Sequence, residues 1–153
     1  MVFDPIVSQL QQKAISAFNC TFLPVNEYGR RTVDRPTLFF MPRCPTDLFN
    51  NVLSANWTSA NLNKIIILGY SLRATKEDID HCLYLRSLKH LMAILHSENS
   101  NIMLETPLPE PEISLYKTGF GKFSWHFFPS DGSVEDLNLN LYPEFKLRSR
   151  FVA

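Results

Sequence analysis

Arg43 and Cys44 stand directly before Pro45, where an amphipathic helix is expected to begin. A thiol at a helix N-terminus beside a guanidinium feels positive charge from both, which favours thiolate. Such a thiolate would act as a nucleophile or as a soft axial ligand to haem iron. The plainer reading, a half-buried structural cysteine, is favoured. Asn50 and Asn51 follow inside the expected helix, where asparagine is a poor former. For them, bonding to neighbouring loop backbone outweighs ligand contact. Asp4 closes a short Val2-Phe3 strand. In nucleotide-binding α/β folds an acidic side chain there bonds ribose hydroxyls, but capping the next helix is the simpler role. The chain has no G-x-G-x-x-G or P-loop, which weighs against a nucleotide site.

Gly69, Tyr70 and Ser71 follow an isoleucine-rich strand. There a ligand would meet glycine backbone and a serine hydroxyl, or the three form an ordinary strand-to-helix turn. His126 lies in an aromatic segment as a weak acid/base candidate, and a hydrogen-bonded core histidine is the favoured alternative. Asp78, His81 and Cys82 share a helical face but lack the second cluster a metal centre needs, so no metal site is expected. Ser71, His126 and Asp4 do not make a catalytic triad, because no nucleophile elbow is present.

The elements that would position these residues follow from hydrophobic spacing. Ile6, Leu10, Ala14 and Phe18 recur every four residues, predicting a helix over 6–18. Cys20–Leu23 reads as a strand and 25–35 as a polar loop. Thr37–Met41 is a continuous apolar run suited to a strand covered on both faces. Pro45 and Asp47 then open a helix whose Leu48, Phe49, Val52, Leu53 and Trp57 share one face. A short capped turn leads from Thr58 or Ser59 to Leu62, followed by a strand at 64–68. A long helix is predicted over 76–96. Strands are predicted at Ile102–Leu104 and Phe120–Phe128, separated by a proline-rich connector. Alternating strands and helices predict a mostly parallel α/β sheet. Ligands bind beyond the carboxyl ends of such strands. That brings Asp4, Asn26-Glu27, Arg43-Cys44 and Gly69–Ser71 to one edge.

The 153 residues suit one domain, and the 45% hydrophobic and 20% charged fractions describe a folded chain. Fifteen acidic and fifteen basic residues balance, so no global field draws the chain to nucleic acid or membrane. No apolar run reaches the roughly 18 residues of a membrane span, and the first residues do not read as a signal peptide. Cys20, Cys44 and Cys82 are scattered and odd in number, as for free thiols in a reducing compartment. The sugar-acceptor triplets at Asn19 and Asn56 are then chance matches.

FDP near the start, PTLFFMPRCPTDLFNNVLSANW at 36–57, IIILGYSL at 65–72 and FGKFSWHFFP at 120–129 resemble, in order and spacing, the sensitivity-to-red-light-reduced (SRR-like) domain family. The resemblance covers about residues 2–129. It implies regulation of circadian rhythms, light signalling and haem biosynthesis; protein partners in cytoplasm and nucleus are expected, and the balanced charge and short apolar runs argue against direct nucleic-acid or membrane binding. Family members usually carry a further strand and helix before FDP, so the resemblance implies an N-terminally short version. Gly69-Tyr70-Ser71 replaces the common Gly-Asn-Ser. Phe120-Gly121-Lys122 replaces Phe-Asn-Asp, removing an acidic partner for His126.

The expectation is therefore a Rossmann-like, mostly parallel α/β domain over 1–130, with a polar, weakly basic tail over 131–153. The expected function is regulatory binding rather than catalysis, with ligand-binding candidates Asp4, Arg43, Cys44, Asn50, Asn51, Gly69 and Ser71. The alternatives are a transferase using a nucleotide-type cofactor, with Asp4 on the ribose and His126 as acid/base, and a truncated product without activity of its own.

Overall fold

In the computed structural model the described residues are 1–3, 6–74, 76, 82, 88–97, 101–109, 122–129 and 133–142. Helix α1 (Gln9–Ala17) begins at a capping box. The Ser8 hydroxyl accepts the Gln11 N–H at 3.3 Å, and the Gln11 side chain accepts the Ser8 N–H at 2.8 Å. Strand β1 (Thr37–Met41) turns through Arg43 into α2 (Thr46–Ala55). Helix α3 (Ser59–Leu62) starts under the Thr58 hydroxyl, which accepts the Asn61 N–H at 3.2 Å. Strand β2 (Ile65–Tyr70), helix α4 (Lys89–Leu95), β3 (Leu104–Pro107), β4 (Phe123–Phe127) and a 3-10 turn (Leu139–Leu141) complete the order among the described residues.

The four strands form one sheet in the order β1-β2-β4-β3. Strands β1 and β2 are parallel, with Met41 opposite Gly69. Strand β4 runs antiparallel to both β2 and β3. The mostly parallel expectation is thus corrected to a mixed sheet in which two of three pairings are antiparallel. Alternating strand and helix patterns say nothing about a strand that enters between two others from the opposite end.

One face of the sheet carries the core. Ile65 and Ile67 of β2 share one buried cluster with Phe49, Val52 and Leu53 of α2, and Gly69 lies against the Phe49 ring. Full burial stabilises each large apolar side chain by roughly 1.5–3 kcal/mol. Helix α2 packs in turn on α4, whose Leu91 to Leu95 are buried throughout. Val134, beyond the last strand, is also buried in this core.

Several local expectations change. The α1 stripe predicted to face inward is outward: Ile6, Leu10 and Phe18 are 88%, 77% and 81% exposed, and α1 buries no residue. Spacing establishes an amphipathic face without saying whether anything covers it. Strand β1 is covered on one face only, with Leu38 and Phe40 exposed at 54% and 55%. The two strands expected before it reduce to one parallel bridge, Val2 to Phe22. Strand β3 starts two residues later than predicted and ends on Pro107, which an edge strand tolerates because its missing N–H costs no pairing. Of the long helix expected over 76–96, α4 is the described part, and 77–81 and 83–87 lie outside the described residues.

Candidate functional site

The parallel pair β1–β2 sets the turn Pro42–Cys44 beside Tyr70 and Ser71. Arg43 takes a left-handed conformation, with φ of 54°. Gly69 is required here for a steric reason. A Cβ at this position would lie 2.5 Å from Cζ of Phe49 and 3.2 Å from the Met41 carbonyl oxygen. The Phe49 ring fills that space and continues to His126, edge to face, with centroids 6.2 Å apart.

Ser71 lies just past β2 and is tied down in three ways. Its N–H donates to the Lys122 carbonyl at 2.7 Å, and its hydroxyl accepts the Ala74 N–H at 3.0 Å. The same hydroxyl donates to one carboxylate oxygen of Glu105. The other Glu105 oxygen accepts the Arg73 N–H at 3.0 Å. Glu105 sits on β3 directly opposite His126 on β4. One acidic side chain thus joins β3 to the turn leaving β2.

His126 is fully buried. Its Nδ1 lies 3.2 Å from the Ile67 carbonyl oxygen, which can only accept, so Nδ1 carries the proton. Its Nε2 has no hydrogen-bond partner and lies 3.6 Å from Glu105 Oε2. Burial pushes the imidazole below its ordinary value. The Glu105 charge and the Ile67 carbonyl pull it back up, and Arg73 adds a further downward push. Hydroxyl, carboxylate and imidazole therefore run serine–acid–histidine. A serine is activated by contact with the histidine, so this order does not generate a nucleophile.

Burial at Cys44 works against a thiolate. Its thiol is half-buried, and desolvation raises its pKa. No side chain caps the α2 N-terminus.

Asn50 accepts the His90 and Leu91 N–H groups at 3.1 and 3.2 Å, holding the start of α4. Asn51 donates to the Tyr28 carbonyl at 2.9 Å. Asn56, which lies in the sugar-acceptor triplet and at the end of the 36–57 stretch that carries the family resemblance, is fully buried. It accepts the Val33 N–H at 2.8 Å and donates to the Arg31 and Val52 carbonyls at 2.8 and 2.9 Å. The three asparagines staple α2 to the preceding loop and to α4. Asp4, Asp78 and His81 lie outside the described residues, and among the described residues no cluster of His, Cys, Asp and Glu is placed to hold a metal. Asn26 and Glu27, expected at the strand ends, instead line a cleft along the outer side of β1.

The architecture is that of a mixed α/β domain whose polar residues are largely committed to holding its own strands and turns. The SRR1 domain family model matches residues 1–127, and the chain belongs to that family. It is 34% identical over 129 residues to Protein SENSITIVITY TO RED LIGHT REDUCED 1 of Arabidopsis thaliana, covering 84% of this chain and 45% of that protein. It is 40% identical over 77 residues to an SRR1-like protein of Mus musculus, covering 50% of this chain and 31% of that protein. The chain thus spans less than half the length of these curated relatives. No solved structure matches it.

Proposed function

We propose that this chain is a regulatory binding domain that works through protein partners in circadian, light-signalling and haem-biosynthesis control, in cytoplasm and nucleus. One observation carries the reading over the enzymatic alternative. The side chains best suited to acid–base work, Ser71, Glu105 and His126, are turned on one another, and the imidazole is 0% exposed. A general base must reach the proton it removes within hydrogen-bond distance, and a sealed imidazole beside a structural carboxylate does not. What the edge offers a partner is the exposed Arg43 and the Tyr70 ring.

The test is a chimera in which residues 1–129 replace the matched part of the Arabidopsis protein, expressed in plants lacking that protein. Red-light response, rhythm period and haem-precursor levels are read on soluble chimeras with unchanged melting. Binding through the edge predicts that Tyr70→Asp with Arg43→Glu abolishes the response and that Ser71→Ala retains it. The opposite pattern, loss with Ser71→Ala and full response with the edge substitutions, overturns the reading in favour of catalysis.

A further inference from the structure

Glu105 answers to three groups with two carboxylate oxygens. The Ser71 hydroxyl donates to Oε1, the Arg73 N–H donates to Oε2 at 3.0 Å, and His126 Nε2 lies 3.6 Å from the same Oε2. The first two contacts hold the turn that leaves β2. The third holds nothing, because with the proton on Nδ1 the Nε2 atom is a bare acceptor. Both side chains are sealed, the imidazole at 0% and the carboxylate at 5% exposure. A buried ring nitrogen without a partner costs free energy, and one proton on Nε2 removes that cost. The new donor would then face a charged acceptor in a nearly dry site, where such bonds are short and strong.

We propose that Glu105 is a two-position carboxylate that couples a proton on His126 to the turn 71–74. With the imidazole neutral, the carboxylate serves the turn. With Nε2 protonated, Oε2 closes on the ring to the roughly 2.8 Å of a charge-assisted bond. An oxygen that accepts from an imidazolium has less charge to offer a backbone N–H, so the Arg73 contact lengthens and the turn loosens. The turn starts beside Tyr70, so the proton on a histidine sealed in the sheet is felt at an exposed edge. The coupling operates whether or not a partner binds that edge.

Among the described residues, the charged groups that act on His126 are Glu105 on β3 and Arg73 in the turn itself. Glu105 favours the proton and Arg73 opposes it. The Arg73 guanidinium donates to the Met103 carbonyl at 3.4 Å, just ahead of β3, which keeps this opposing charge near the strand that carries Glu105. Strand β2 contributes the Ile67 carbonyl and α2 the Phe49 ring, and neither titrates. Other anchors of the turn do not involve Glu105. Leu72 is buried in the core, and the Ser71 N–H donates to the Lys122 carbonyl at 2.7 Å. The loosening is therefore local to the contacts that Glu105 makes.

The test follows this chain alone by NMR as the pH is lowered from 8 until the fold is lost. The Arg73 amide is expected to shift with the same midpoint as the His126 ring protons. Its hydrogen exchange, relative to the intrinsic rate at each pH, is expected to quicken at least tenfold. The Ile67 amide, on the strand between β1 and β4, is expected to stay protected over that step. Glu105→Gln, whose amide can donate to Nε2 and accept from the turn together, is expected to abolish the step. His90→Asn, at the other histidine on which burial acts, is expected to keep it. Three results overturn the proposal: the Arg73 amide does not follow His126; the step survives Glu105→Gln; or Arg73 and Ile67 lose protection together, which is acid unfolding of the whole domain.

Discussion

His126 Nε2 and Glu105 Oε2 lie 3.6 Å apart, one on each of two adjacent antiparallel strands, with side chains 0% and 5% exposed. The separation exceeds a hydrogen bond, and the imidazole proton is on the other nitrogen, against the Ile67 carbonyl. Two acceptors thus face each other in a nearly dry site, which makes the pair sensitive to protonation.

Acid should destabilise the fold through this histidine. Its folded pKa lies below the unfolded value of 6.5, so below that pH the unfolded chain binds more protons. Stability is fully present above pH 6.5 and is lost as pH falls through the folded pKa. His90, lowered by burial and by Lys89, acts in the same direction. Melting scans between pH 8 and pH 5 should show a falling midpoint, flattened in His126→Asn with His90→Asn. The groups facing His126 have opposite effects. Glu105→Gln should lower its NMR-titrated pKa and Arg73→Ala should raise it. A pH-independent midpoint would contradict the burial argument.

Gly69→Ala should cost about 1–3 kcal/mol, because the new methyl meets the Phe49 ring at 2.5 Å. Phe49→Leu in the same chain should recover part of that loss. Urea titrations of both single variants and the double variant would expose the coupling, and additive losses would refute it.

Asn56→Ala should be among the most damaging single changes, at about 2–4 kcal/mol. It leaves the Val33 N–H and the Arg31 carbonyl without the partner that Asn56 now supplies. Denaturant unfolding measures it. Asn51→Ala, which removes one bond at the surface, should cost under about 1 kcal/mol by the same measurement.

Alkylation should rank the thiols by exposure. Cys20 is exposed, whereas burial raises the Cys44 pKa. At pH 8, iodoacetamide mapped by peptide mass should modify Cys20 several-fold faster than Cys44. A faster Cys44 would restore the case for a thiolate and for a haem ligand there.

The amino-acid sequence by itself determined the strand–turn–helix of 36–57, the isoleucine strand and the aromatic strand. Each is written in local chemistry: a β-forming run, a proline stop, an acidic first turn and apolar residues on one helical face. It also carried the family, through motifs whose order survives divergence. Tertiary structure alone decided that β4 enters antiparallel, that Glu105 faces His126 across 21 residues of chain, and that the apolar stripes of α1 and β1 stay uncovered. Periodicity reports that a face is apolar and a strand is extended. Direction, register and what lies opposite are properties of pairing between distant segments, and no local pattern contains them.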